Sequence, residues 1–142
     1  MTRCFSNAHI VLCDTILHGS LKVDSTGQIC ELFAEKFVHQ NAEDLGGDYL
    51  LPGFVDVHTD NLERLVQPRS NVRWPSLSAF INHDSQCVAA GITTAADALC
   101  VGDTGFESGR IQTMTDAIAD LEKLIERGLL KSDHFLHLDC EI

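Results

Sequence analysis

The sequence is poor in positive charge. Its 142 residues include 10 Lys and Arg against 21 Asp and Glu, which gives a formal net charge of −11. Partners such as nucleic acids and anionic membranes require a basic surface, so this balance argues against both. A polyphosphate substrate would also need metal ions or a local basic patch to offset the repulsion.

Long apolar runs are missing as well. No segment approaches the roughly 18 residues needed to span a bilayer, and no apolar signal-peptide core precedes Asp14. The composition, with 44% hydrophobic and 22% charged residues, is typical of a soluble globular chain. We therefore expect a cytoplasmic protein.

The cysteines show no C-x-x-C spacing, although most of them lie in apolar runs. This usage predicts reduced thiols in the core of an intracellular protein, with disulfides or a zinc knuckle as the alternatives. The six cysteines are Cys4, Cys13, Cys30, Cys87, Cys100 and Cys140.

Residues 1–49 have the pattern of β-structure. Strands are predicted at residues 8–12, 16–23 and 28–33, the last two joined by a turn at 24–27. A mostly polar stretch that ends in Gly46-Gly47 follows, as expected of a linker. The pattern predicts an N-terminal β-rich segment.

Residues 50–142 alternate between strand and helix patterns. The predicted order is a strand near residue 55, an irregular loop, a helix, a strand, a helix and a final strand; after the first strand these lie at 62–75, 76–90, 91–99, 109–127 and 134–142. Such alternation is typical of parallel βα units, so the predicted fold class is α/β.

The clearest candidate site follows the first of these strands. Side chains two apart on a strand point the same way, so Asp56, His58 and Asp60 share a face near the strand's C-terminal end. An imidazole and a carboxylate side by side can bind one divalent ion. The alternative is an exposed strand end with solvated polar residues.

Two further stretches carry polar residues whose roles the pattern leaves open. His83 and Asp84 lie inside the predicted helix 76–90, where a structural role is favoured. Asp97 lies near the end of the predicted strand 91–99, where it either faces the site or forms hydrogen bonds within the fold. Alternation on the last strand places His137, Asp139 and Glu141 on one face.

The residues PGFVDVHTDNLERLVQPRSNVRWPSLSAFINHD at 52–84, followed by AAGITTAADAL at 89–99, resemble the PhnM-like enzymes of phosphonate metabolism. This family is a branch of the amidohydrolase superfamily. Most of the superfamily carries His-x-His after its Pro-Gly strand, whereas PhnM-like members carry His-Thr-Asp-Asn, as residues 58–61 do here. The resemblance runs from about Leu50 to the last residue, with a weaker match before it.

The resemblance implies a fold. We expect the start of a (β/α)₈ amidohydrolase barrel, about three of its eight strands, preceded by a small β-sandwich segment. A closed barrel needs roughly 250 residues, so the chain is expected to be the N-terminal part of such a protein, and residues 50–142 an incomplete barrel.

The resemblance also implies a function. The expected activity is metal-dependent hydrolysis of alpha-D-ribose 1-methylphosphonate 5-triphosphate with release of pyrophosphate, and the expected cofactor is a divalent metal, zinc foremost, with manganese or another ion as alternatives. Its ligands would be His58, Asp60 and Glu141, of which Glu141 matches the Glu of a His-Leu-Arg-Cys-Glu segment. Asp139 stands where that segment usually has Arg, which puts substrate binding in question.

A locally basic loop follows the candidate site. Arg64, Arg69 and Arg73 lie between Leu62 and Pro75 with Glu63 as the single acidic residue. Arginine suits bidentate phosphate contacts, so these residues are candidates for binding the triphosphate. Pairing with surface carboxylates is the equally weighted alternative.

Two other functions stay open. The same metal chemistry could hydrolyse a carbon–nitrogen bond, as in other amidohydrolases. Alternatively, this chain alone is an inactive fragment whose exposed strand edge promotes self-association or homo-oligomerisation.

Overall fold

The computed structural model describes residues 1–34, 41–69, 72–101 and 109–140, and it divides into two compact units, Met1–Pro52 and Gly53–Ile142. The first unit contains strands β1 (Arg3–Val11), β2 (Ile16–Val23), β3 (Ile29–Phe33), β4 (Glu43–Asp44) and β5 (Tyr49–Leu50). The second contains β6 (Phe54–Thr59), α1 (Asn61–Val66), α2 (Ser76–Ala89), β7 (Ile92–Val101), α3 (Gly109–Glu126) and β8 (Asp133–Cys140).

The first unit is a five-stranded sheet. Its strands run in the order β3-β2-β1-β4, and β5 also pairs with β1. Strands β1, β2 and β3 pair antiparallel, while β4 and β5 run parallel to β1. A small apolar core of Ala8, Ile10 and Leu21 lies on this sheet. The three strands predicted in this segment are confirmed.

The turn between β2 and β3 is built by Asp24. Its Oδ1 accepts hydrogen bonds from the backbone N–H groups of Thr26, at 2.8 Å, and Gln28, at 3.1 Å. Gly27 adopts a φ of 88°, a left-handed conformation that favours glycine. The side-chain bond from Thr26 and the backbone bond from Gln28 hold the pKa of Asp24 below its ordinary value.

The second unit is a parallel sheet covered by helices. Its strands run in the order β6-β7-β8, and both pairings are parallel. One apolar cluster joins the three helices to β7; it consists of Leu62, Val66, Ala79, Phe80, Leu99, Ala117, Leu121 and Leu124. The predicted α/β class with parallel strands is confirmed.

The entry to β6 depends on a close approach of two backbones. The backbone N–H of Phe54 donates to the carbonyl of Gly91 at 2.9 Å, immediately after α2. A Cβ placed on Gly53 would lie 2.2 Å from the Oγ1 and Cγ2 atoms of Thr93. Glycine at position 53 therefore lets β6 start against β7.

Two sequence predictions are wrong, one about the second unit and one about the cysteines of both units. Residues 62–66 were predicted as part of an irregular loop but belong to α1, which buries Leu62 and Val66. The cysteines were predicted in the core, yet of the six only Cys87 is buried, and Cys13, Cys30 and Cys140 are exposed. None of the helices in the described ranges could span a bilayer.

Replacing Phe80 by Ala should lower the free energy of unfolding by about 3–5 kcal/mol, because the side chain is fully buried and its removal leaves a cavity. Val88→Ala on the same helix is the control, since Val88 is 42% exposed; we expect a change within about 0.5 kcal/mol. Urea denaturation followed by circular dichroism measures both. Equal losses in the two variants would contradict the assigned core.

Candidate functional site

Strand β6 ends at the predicted site. His58 Nε2 lies 3.7 Å from Asp60 Oδ1, and their side chains are 44% and 67% exposed. The structure therefore places this imidazole and this carboxylate side by side and open to solvent. Asp56 Oδ1 accepts a hydrogen bond from the backbone N–H of His58 at 3.2 Å.

His137 from β8 joins His58. The two rings pack edge to face with their centroids 5.0 Å apart. His137 Nδ1 lies 3.4 Å from the carbonyl oxygen of Val57. A carbonyl only accepts, so Nδ1 is the donor in this contact. Alternation placed His137 on the face of Asp139, but the sequence did not select it as a site residue.

The remaining predicted ligand is outside this geometry. Glu141 lies beyond the described residues, so its place as a ligand stays a prediction. Within the described ranges, no third His, Cys, Asp or Glu ligand atom lies within 4.8 Å of both the His58 and the Asp60 ligand atoms. Among the described side chains, His137 adds a second imidazole beside His58.

The three arginines lie in different settings. Arg64 is in the last turn of α1, and Arg69 forms an isolated backbone bridge with Val72. Arg73 points to α3, where it donates to Thr113 Oγ1 at 2.6 Å and to Asp116 Oδ2 at 2.7 Å. The hydrogen bonds from Arg73 and then Gln112 hold the pKa of Asp116 below its ordinary value. For Arg73, the structure therefore displays the carboxylate pairing that the sequence left as an alternative.

A chain of buried polar side chains lies behind the strand end. His83 Nε2 is 2.6 Å from Asp97 Oδ1, and His134 Nδ1 is 2.9 Å from Asp97 Oδ2. His134 Nε2 is in turn 3.3 Å from Asp84 Oδ1, an oxygen that also accepts from the backbone N–H groups of Lys131 and Ser132. All four side chains are at most 2% exposed. We call this the buried chain: His83, Asp84, Asp97 and His134.

The partners fix the protonation of His134. Both of its ring nitrogens face carboxylate oxygens, which accept when ionised. Both nitrogens must then donate, so His134 is an imidazolium. Burial disfavours this charge, but the hydrogen bond and charge of Asp97, followed by those of Asp84, outweigh it and raise the pKa of His134 above its ordinary value.

The same contacts act on Asp97. Burial opposes its ionisation, yet the hydrogen bonds from His134 and His83 hold the pKa of the Asp97 carboxyl below its ordinary value. Across the described residues, no buried polar side-chain atom is without a hydrogen-bond partner. The buried chain is thus a fully hydrogen-bonded unit in which the carboxylate of Asp97 is paired with the imidazolium of His134.

By residue type, this chain could also hold a metal ion. The ligand atoms of His83, Asp97 and His134 lie within 4.8 Å of one another. However, separations of 2.6 and 2.9 Å are hydrogen-bond lengths, and both Asp97 oxygens are occupied by them. The geometry therefore describes a hydrogen-bonded network rather than a set of free ligands.

The sequence missed the buried chain. His83 and Asp84 were favoured as structural, which agrees with their burial, and Asp97 forms the hydrogen bonds that were one of its two predicted roles. His134 was not singled out. Its position in strand alternation, on the same face as Leu136, was the one available signal, since an imidazole there lies among apolar residues.

Comparisons with known proteins agree with the predicted resemblance. The chain is 37% identical over 137 residues to the alpha-D-ribose 1-methylphosphonate 5-triphosphate diphosphatase of Escherichia coli (strain K12). That match covers 96% of this chain and 36% of the relative, so the chain spans about a third of the relative's length. It confirms the resemblance to PhnM-like enzymes and extends it over nearly all of the chain.

A solved structure supports the fold. The crystal structure of a D-hydantoinase superposes with a TM-score of 0.53 at 21% identity, covering 97% of this chain and 27% of that protein. No family model matches the chain. The structural likeness extends to the fold only.

The imidazolium of His134 should make stability depend on pH. A raised folded-state pKa contributes stability below the ordinary value of 6.5, and that contribution is lost as pH rises through the higher folded-state pKa. The lowered pKa of Asp97 contributes stability above the ordinary value of 3.8, which is lost as pH falls through the lower folded-state pKa. Urea denaturation between about pH 3 and 10 measures both limbs.

NMR titration of the His134 ring resonances tests whether the loss of stability at high pH comes from this residue. We expect His134 to lose its proton above pH 6.5, in the same interval in which the unfolding free energy falls. A His134 ring that is already neutral at pH 6.5 would contradict the assigned imidazolium.

Replacing Arg73 by Met should raise the pKa of Asp116 toward its ordinary value, because the largest cause of its lowered pKa is the hydrogen bond from Arg73. NMR titration of the Asp116 carboxyl measures the change. Lys131→Met removes one positive charge elsewhere and should leave Asp116 unaffected. An unchanged Asp116 pKa in the Arg73 variant would show that the contact is absent in solution.

Proposed function

We propose that this chain forms the first part of a metal-dependent hydrolase that releases pyrophosphate from alpha-D-ribose 1-methylphosphonate 5-triphosphate. The observation that carries the proposal is the 37% identity to a diphosphatase of that name, sustained over 137 residues. The proposal extends to the barrel, of which β6, β7 and β8 would be the first three strands. The sheet of residues 1–52 would then be the flanking β-sandwich segment.

The donors at the end of β6 fit a divalent metal. Imidazole nitrogen and carboxylate oxygen are ligands that zinc and related ions take in proteins. His58 and Asp60 are adjacent and accessible, so an ion could reach both without a cavity having to open. The ring of His137 packs edge to face against His58, and Glu141 stays a proposed further ligand.

Zinc is the proposed metal, with manganese or another divalent ion as alternatives. When bound, such an ion would supply Lewis-acid activation of water and would offset phosphate charge. His58 and Asp60 would hold it in place. His137, whose Nδ1–H is directed at the carbonyl of Val57, would help to hold the adjacent ring of His58 in its orientation.

The proposed reaction breaks one phosphorus–oxygen bond. Water attacks the phosphorus nearest the sugar, the bond to the bridging oxygen breaks, and pyrophosphate leaves with that oxygen. The ribose keeps its 5-phosphate and its 1-methylphosphonate. Arg64 and Arg69 are proposed to contact the triphosphate; Arg73 would do so only by giving up its bond to Asp116.

Hydrolysis of a carbon–nitrogen bond is the second candidate. Its support is the structural likeness to a D-hydantoinase, which at 21% identity extends to the fold only. The phosphate reaction is favoured because the sequence match is to a diphosphatase. The cytoplasmic location, homo-oligomerisation through an exposed strand edge and the absence of nucleic-acid and membrane partners stay predictions.

Replacing Asp60 by Asn in the full-length gene product should weaken binding of Zn²⁺ by at least about 100-fold, because a ligand is lost and even outer partners typically contribute 10–100-fold. Pyrophosphate release should fall with it. Competition with a chromophoric chelator measures affinity, and a panel containing the triphosphate, amides and cyclic ureides measures which bond is cleaved.

Glu122→Gln is the matched control, since it removes an exposed carboxylate from α3 without touching the site. We expect wild-type metal affinity and turnover in this variant. Full zinc occupancy in the Asp60 variant would overturn the ligand assignment, and cleavage of carbon–nitrogen substrates alone would favour the second candidate.

A further inference from the structure

Asn61 links the candidate site to the buried chain. It directly follows Asp60, and its side-chain Nδ2 lies 3.0 Å from His83 Nδ1 and 3.0 Å from Gln86 Oε1, both on α2. An amide NH₂ group has two N–H donors, so Asn61 uses both. The residue after a proposed ligand is thus anchored by two bonds to a neighbouring helix.

The acceptor that Asn61 meets is itself set by the buried chain. Asp97 accepts from His83 Nε2, so the proton of a neutral His83 ring is on Nε2 and the lone pair is on Nδ1. That lone pair receives the Asn61 N–H. The other Asp97 oxygen is held by the His134 imidazolium. The buried chain, together with Gln86, therefore determines which way the Asn61 amide is oriented.

At the C-terminal side of the site segment, the fully buried Leu62 anchors α1 through apolar packing, and the further polar contacts are weak. Asp60 is the N-cap residue of α1, but its side chain forms no capping hydrogen bond. Thr59 Oγ1 accepts from the Asn61 backbone N–H at a long 3.3 Å. Asp60 itself is 67% exposed. Besides the apolar packing of Leu62, the hydrogen bonds from Asn61 to α2 hold the start of α1 and, with it, the backbone at Asp60.

We infer that Asn61 is a positioning residue for the His58 and Asp60 ligand pair, oriented by the relay His83–Asp97–His134. This inference rests on the proposed function, since it assigns Asn61 a role toward the metal that this function requires. Outer partners that orient ligands typically contribute 10–100-fold to metal affinity. Asn61 would act without touching the metal.

The test compares Asn61→Ala with Val66→Ala in the full-length gene product. Both substitutions lie on α1 and loosen this helix. Val66→Ala does so because Val66 is fully buried in the core. Only the first removes the bonds to His83 and Gln86. Val66→Ala therefore controls for the general effect of loosening this helix.

The first readout is the binding of Co²⁺ alone, by chelator competition and visible absorption. We expect Asn61→Ala to raise the dissociation constant at least about 10-fold and to change the spectrum, because the ligand geometry is altered. Val66→Ala should stay within about 3-fold of wild type, with an unchanged spectrum. Equal effects of the two substitutions would overturn the positioning role.

The second readout needs no metal. Hydrogen exchange of the amides at residues 58–60 in the metal-free protein should be at least about 5-fold faster in Asn61→Ala than in Val66→Ala, because the local opening is no longer restrained. Equal rates would overturn the inference. If the wild-type protein binds no Co²⁺, the proposed function fails, and exchange alone then decides whether Asn61 positions this segment.

Discussion

The second unit is built around one buried cation, the His134 imidazolium between Asp97 and Asp84. Moving these three groups out of water is costly, and their mutual attraction offsets that cost only when every donor and acceptor is paired. Here the pairing is complete, with His83 on one side and two backbone N–H groups on the other. The contacts tie α2, β7 and β8 to one relative placement. An apolar cluster alone would specify that placement less strictly.

Much of the architecture could be predicted from local pattern. Helix α3 carries an apolar stripe at helical spacing and was predicted to within one residue at its C-terminal end, and the strands of residues 1–33 follow alternation and a turn signal. Helix α1 was missed because only two of its six residues, Leu62 and Val66, are buried, and a Pro- and Arg-rich stretch follows it. The three apolar residues Leu62, Leu65 and Val66 span little more than one helical turn, which is too short a run to distinguish a helix from a loop.

The candidate site was predictable only in part, for a related reason. His58 lies on β6 and Asp60 follows that strand as the N-cap residue of α1, so their closeness in the sequence brings them side by side. The hydrogen bonds of the buried chain connect residues that are separated by 14, 37 and 50 positions in the sequence. No local periodicity of the sequence predicts such contacts. The setting of Arg73 likewise depends on Asp116, which lies 43 residues away on α3. What decided between the two alternatives for this arginine was tertiary packing.

The spans of these bonds bear on how the protein is synthesised. Every partner in the buried chain, and Asn61 with it, lies between residues 61 and 134. The longest of these side-chain links joins positions 50 residues apart. A nascent polypeptide thus possesses all the groups of the network once residue 134 has left the ribosomal tunnel, and domains are known to fold as units during translation. The centre formed by His134, Asp97 and Asp84 can therefore assemble on the ribosome without any residue that is synthesised later.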